Sequence, residues 1–191
     1  MKIMVWQSGW VTSIAGYAER SAVRMIIFCI CLSWFYALCS QCLIPLSFNF
    51  VPITLQSVMF LFCANLFGRK AVSAYVLYLI QGALGAPFFS RFGSGLVHLL
   101  GPTGGYLIGF IFAMFVIAFT RGFAANSKFW LLIRYWFCCT LYYVFGLLQL
   151  AWFVPSYKVL TLGLYPFIFG DFVIKAVFFL FLTSVFRGQR S

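Results

Sequence analysis

Six continuous apolar runs dominate this chain, at about 22–44, 53–67, 71–87, 106–120, 129–153 and 163–186. A membrane-spanning helix needs about 20 consecutive apolar residues. Runs of this length and spacing predict an all-α integral membrane protein with six transmembrane helices in one domain covering 1–191. The second run is short. It is expected to tilt into the protein or to be capped by the connection before it, Leu46 to Pro52. A transmembrane β-barrel is excluded, because its strands would read as short alternating segments.

Composition agrees with bilayer as the main solvent. The chain is 64% hydrophobic and 8% charged, against about half and a quarter in a soluble domain. The net charge of +11 does not point to nucleic acid. The basic residues flank the apolar runs and never gather into a cluster of five. The seven cysteines, Cys29, Cys31, Cys39, Cys42, Cys63, Cys138 and Cys139, all lie within apolar runs. Cys39 and Cys42 have C-x-x-C spacing, yet no second pair or neighbouring histidine completes a metal set. They read as small buried hydrophobes. The first twenty residues do not look like a signal peptide, and the run from Ala22 is too long for a signal core.

Basic residues outside the membrane mark the side that faces the cytoplasm. With six spans, ten Lys and Arg fall on one side: Lys2, Arg20, Arg24, Arg69, Lys70, Arg121, Lys128, Arg134, Arg187 and Arg190. Arg91 and Lys158 fall on the other. Both termini are therefore expected in the cytoplasm. The segment 85–105, between the third and fourth spans, is then an outer loop. Gly85, Gly93, Gly95, Gly101, Gly104 and Gly105 punctuate it, and Gly82 precedes it. Such a backbone approaches a ligand or another segment closely, as expected of a lid over an outward-facing pocket.

The sixth run contains a charge pair. Asp171 is the only acidic residue after Glu19, and Lys175 follows it by four. A charge at membrane depth costs roughly 3 kcal/mol or more and usually faces the protein interior. One turn apart, the two share a helix face. One reading is a self-neutralising pair that pins the helix; the other is a pair that grips a polar ligand. Gln56, Tyr75, Tyr78, Gln81, Arg91 and Tyr106 supply further polar groups at comparable depth. Gln56, just after Thr54, could equally make an interhelical hydrogen bond. Arg91 is either a snorkelling interface residue or a clamp for a carboxylate.

Ser94 and His98 do not make a convincing nucleophile and base, since both lie in one loop. No G-x-x-x-x-G-K-[ST] occurs, so no phosphate-cradling loop of that kind is present. Cys29, Ser33 and Ala37 recur every four residues on the first helix. Small residues so placed allow close helix packing, either inside the bundle or against a partner protein.

Four blocks resemble the BioY family, the biotin-specific substrate-binding components of energy-coupling-factor (ECF) transporters. They are Val51-Pro52-Ile53-Thr54-Leu55-Gln56, Tyr78 to Phe89, Leu100 to Phe110, and Pro166 to Asp171 with Lys175. They stand in order from about residue 25 to 186. The resemblance implies six helices, an outward-facing biotin pocket, no cofactor and no enzymatic activity. It implies residence in the cytoplasmic (inner) membrane, beside a transmembrane coupling protein and two ABC-type ATPases. Carried onto this chain, it makes Asp171 and Lys175 ligand residues, with Gln56, Thr54, Tyr78, Tyr106 and Arg91 as further candidates. It makes Cys29, Ser33 and Ala37 a loose version of the partner-facing stripe. Two departures stand out: the family's lysine follows the aspartate by three residues rather than four, and a smaller residue is usual where Arg91 stands. Other small vitamins, an intramembrane enzyme and a passive channel are the competing readings.

Overall fold

The computed structural model describes residues 21–44, 53–120 and 127–188. The basic residues Lys2, Arg20, Arg121 and Arg190, and the Val51-Pro52 portion of the first of the four blocks, lie outside them.

The described residues are almost wholly helical. Helix α1 is Ala22–Gln41, α2 Gln56–Phe67, α3 Arg69–Ala83, α4 Leu96–Leu100, α5 Gly104–Thr120 and α6 Lys128–Leu150. Helix α7 is Ser156–Gly163, and a single turn at Tyr165–Phe167 leads into a π-helical segment, Ile168–Ile174. Helix α8, Lys175–Gly188, continues from it. Three stretches are long and apolar enough to cross a bilayer: Ala22–Gln41, Lys128–Leu150 and Ser156–Val185. Gln56–Phe67 and Gly104–Thr120 are shorter apolar helices.

The short second helix has a physical explanation. At about 1.5 Å per residue, twelve residues rise only some 18 Å, well under the roughly 30 Å of hydrocarbon. Nearly every residue of α2 from Gln56 to Leu66 is buried. A helix that is enclosed all round needs no lipid-facing length. Its neighbours are α1, α3, α5 and α8. The start of the second apolar run is not helical: Ile53–Thr54 pairs antiparallel with Leu43–Ile44, Thr54 opposite Leu43. This small ribbon links the ends of α1 and α2.

Two helix pairs flank α2. Helix α1 runs along α3, and α5 runs along α6. The second pair is exceptionally close because of glycines spaced by four on α5. A Cβ on Gly105 would collide with the Phe145 carbonyl, and one on Gly109 would come 2.7 Å from the Tyr142 Cα. Small residues at this spacing let two backbones meet. At the opposite end of the bundle from the ribbon, Arg134 of α6 donates to Asn65 of α2 and to the Thr120 carbonyl of α5, each at 2.6 Å.

The outer faces of α1, α5, α6 and α8 carry large apolar side chains, among them Ile26, Trp34, Phe112, Phe119, Trp136 and Phe181. The charged pair, Asp171 in the π-helical segment and Lys175 at the start of α8, is buried in the bundle.

Candidate ligand-binding site

Asp171 sits inside the π-helical segment and is only 3% exposed. The Lys175 amide N–H reaches back five residues to the Gly170 carbonyl, closing the wide turn. Lys175 still lies beside Asp171, its Nζ 2.5 Å from Oδ1. The four-residue spacing is thus accommodated by local over-widening of the helix, and the pair keeps a common face. Nζ also donates to the Ser57 Oγ of α2 at 2.8 Å.

Asp171 Oδ2 accepts two hydrogen bonds from α6, from the hydroxyls of Tyr142 at 2.5 Å and Tyr143 at 2.8 Å. Oδ1 receives no aligned hydrogen bond, although the ammonium touches it. A buried ion is tolerated when it is both paired and hydrogen-bonded, and this one has an ammonium and two phenols.

The pair borders a cavity. Its walls come from Thr54 of the ribbon, Gln56 and Ser57 at the start of α2, Phe89 and Ser90 before α4, and His98 on α4. Thr103, Tyr106, Leu107 and Phe110 at the start of α5, with Tyr142, Tyr143, Phe167, Asp171 and Lys175, complete them. Polar side chains and aromatic rings share the lining. The free volume is about 60 Å³. A second cavity of about 420 Å³, lined by the 85–105 segment, shares Ser90, His98 and Thr103 with the first. Pockets that take small ligands run to about 300–1,000 Å³. The inner void alone falls short of that range and the two together reach it.

The structure sorts the sequence candidates. Asp171, Lys175, Gln56, Thr54 and Tyr106 all line the inner cavity. Tyr106 does so with its ring; its hydroxyl donates to the Gly163 carbonyl at 2.9 Å. Tyr78 stands behind the wall: its hydroxyl accepts from Gln56 Nε2 at 3.0 Å and donates to the Phe88 carbonyl at 3.3 Å. It orients Gln56 and stacks under Phe88. Arg91 lines the outer cavity, not the inner one. It and Phe92 both adopt left-handed backbone, φ 59° and 55°, a rare conformation for residues other than glycine.

The stripe expected to face a partner is turned inward. Cys29, Ser33 and Ala37 are all buried, and α1 packs them against α3. Ser33 donates to Gln81 Oε1 at 2.8 Å. Small residues mark a close helix contact, and here that contact is within the chain. Tyr75 and Gln81 likewise serve packing, Tyr75 donating to the Leu107 carbonyl at 2.9 Å.

The outer loop is more ordered than its glycine content implies. Phe89 pairs with Gly93 across a 3₁₀ turn at Ser90–Phe92. Gln41 at the end of α1 holds that turn: its Nε2 donates to the Phe89 carbonyl at 2.9 Å, and its Oε1 accepts from the Phe92 N–H at 3.0 Å. His98 stacks on Phe89, ring centres 4.9 Å apart. Tyr142, Tyr143, Ser57, Thr103 and Phe167 are wall residues that the sequence reading did not single out.

The BioY family model matches residues 12–190. The chain belongs to the BioY family. A probable biotin transporter BioY from Pyrococcus horikoshii is 35% identical over 149 residues, 76% of this chain and 86% of that one. The biotin transporter BioY of Thermotoga maritima is 35% identical over 128 residues, covering 64% and 73% of the two chains. Among solved structures, the crystal structure of an S-component for biotin from an ECF-type ABC transporter superposes with a TM-score of 0.75 at 25% identity. The match covers 88% of this chain and 93% of that one. The BioY fold therefore extends to this protein, and with it the character of a multi-pass membrane protein.

Proposed function

We propose that this BioY protein binds biotin in the joined cavities and serves as the substrate-specific component of an ECF-type transporter in the cytoplasmic membrane. The observation that carries the reading is the chain's sole aspartate, only 3% exposed yet lining the inner cavity beside Lys175. Its relatives are biotin transporters, and the similar solved structure is an S-component for biotin.

Biotin carries two ureido N–H donors, a ureido carbonyl, an apolar thioether ring with its chain, and a carboxylate. The inner cavity offers matching groups for the ring. Asp171 Oδ1 accepts from a ureido N–H, with Gln56 completing the network. Lys175 keeps the buried anion balanced, and Phe89, Phe110 and Phe167 pack the bicycle. The chain runs outward past Ser90, His98 and Thr103, and the carboxylate meets Arg91, whose planar fork suits it. Thr54 and the Tyr106 ring shape the wall, and Tyr78 holds Gln56. A ligand lacking the ureido donors leaves buried acceptors unsatisfied, at about 1–3 kcal/mol each. That penalty selects biotin over other small vitamins.

The six-span topology with both termini in the cytoplasm puts these cavities on the outer side. The 85–105 segment then closes over bound ligand. Release inward requires movement against a transmembrane coupling protein driven by two ABC-type ATPases. The chain itself performs no covalent chemistry.

Saturable binding of radiolabelled biotin to the purified, detergent-solubilised protein tests this reading. Competition should follow biotin and fail with thiamine or riboflavin. Absence of saturable binding, or equal competition by the other vitamins, would refute it.

A further inference from the structure

Four aromatic donors on α6 converge on the π-helical segment. The Tyr135 hydroxyl donates to the Asp171 carbonyl at 3.1 Å, and Trp136 Nε1 to the Phe172 carbonyl at 2.9 Å. One heptad later, the hydroxyls of Tyr142 and Tyr143 both donate to Asp171 Oδ2. Residues seven apart return to the same helix face, so the four form two rungs of one ladder. Adjacent residues on a helix diverge by roughly 100°. Tyr142 and Tyr143 can meet on a single atom only because that atom lies over the groove between them. The approach of α5 at Gly109 sets where the Tyr142 backbone sits.

We propose that this ladder is the positioning device of the site: Tyr142 and Tyr143 lock Oδ2, so that Oδ1 is the oxygen presented to the ligand, while Tyr135 and Trp136 hold the wide turn that carries it. The proposal deepens the biotin reading and rests on it for the identity of the ligand. Widened helical turns are uncommon and recur at functional sites. A carboxylate with two equivalent oxygens can rotate about its last torsion and share its acceptors. Here that rotation is blocked by two phenols on one side and the ammonium on the other. Neither tyrosine is required to touch biotin through its hydroxyl, because both hydroxyls are spent on Asp171. Their effect is to make one acceptor available in one direction, which favours a ligand with a single well-placed N–H donor at that point.

Because Asp171 is the only aspartate in the chain, isotopic labelling isolates it. Protein grown on [4-¹³C]aspartate would be examined by infrared spectroscopy, ligand-free and with biotin, alongside Tyr142→Phe, Tyr143→Phe and the double variant. The single variants keep one donor each and guard against misfolding of the double. The expected result is a shifted carboxylate band in each ligand-free variant. Biotin affinity should fall by about 10- to 100-fold in the double variant, the effect of losing charge-assisted hydrogen bonds. The preference for biotin over an analogue methylated on its ureido nitrogens should narrow. A merely structural defect would weaken both ligands in parallel. An unmoved band, unchanged affinity, or a parallel loss for both ligands would overturn the proposal. Failure of the unaltered protein to bind biotin would sink the biotin reading instead, while the band shift would still decide whether the phenols fix the carboxylate.

Discussion

Gly109 of α5 lies so close to α6 that a Cβ there would sit 2.7 Å from the Tyr142 Cα and 3.0 Å from its Cβ and carbonyl oxygen. The obstacle is backbone, which cannot swing aside. Gly109→Ala should therefore push α5 and α6 apart. Overpacking of this kind costs about 1–3 kcal/mol. The thermal midpoint in detergent should fall, and biotin affinity should fall with it, because Tyr142 moves away from Asp171. Retention of both would show that the two helices slide freely.

The ion pair makes a second prediction, about stability. Removing one member of a buried pair strands the other, at about 3–5 kcal/mol. Asp171→Ala and Lys175→Met should each destabilise the ligand-free protein strongly. The double change Asp171→Ala with Lys175→Met should destabilise less than the sum of the two single ones. All three should abolish biotin binding. Thermal unfolding with a binding titration separates the two effects, and simple additivity of the single losses would show that the charges do not depend on each other.

Arg91 lines only the outer cavity. If the biotin carboxylate reaches it, Arg91→Ala should weaken biotin by about tenfold, the scale of an exposed charge-assisted contact. Biotinamide, which is neutral at that end, should be nearly unaffected. The loss for biotin should also shrink in high salt, since exposed charges are screened. Equal losses for both ligands would assign Arg91 to the shape of its left-handed turn instead.

His98 makes the site sensitive to acid. Burial against Phe89 holds its imidazole below the usual histidine value of about 6.5, so the stacked ring is neutral at physiological pH. A histidine whose protonation is disfavoured by folding loses stability as pH falls below its unfolded value. The Phe89–His98 stack should be fully formed above about pH 6.5 and should loosen as the solution is acidified. Biotin dissociation measured from pH 8 to 5 should accelerate, and His98→Phe should flatten the profile while keeping the stack. A flat profile in the unaltered protein would contradict this.

The helices were legible because lipid and protein interior both demand apolar residues, and runs of them are hard to mistake. Asp171 and Lys175 were legible for the opposite reason: a charge in such a run is costly and therefore conspicuous. Tyr142 and Tyr143 were not. In a chain with 22% aromatic residues, two more tyrosines on a helix read as packing, and only the fold shows both hydroxyls on one carboxylate oxygen. The stripe Cys29, Ser33 and Ala37 announces a close helix contact but not which helix fills it; the answer is α3 of the same chain. The spacing of Gly105 and Gly109 carried the same kind of signal for α5 and α6. Arg91 was read as a candidate for the far end of the ligand held by Asp171, and sequence distance does not tell that the two residues line different cavities.

Gln41 fastens the outer turn with both ends of a single amide. Breaking that fastening leaves Asp171 and Lys175 untouched and frees the turn that carries Phe89, so its effect on the equilibrium for capture should be small beside its effect on rates. What it should alter is time: molecules would enter sooner and escape sooner in the same proportion. A scavenger of a scarce nutrient gains from a slow latch, because each captured molecule then waits long enough for the transport step to follow.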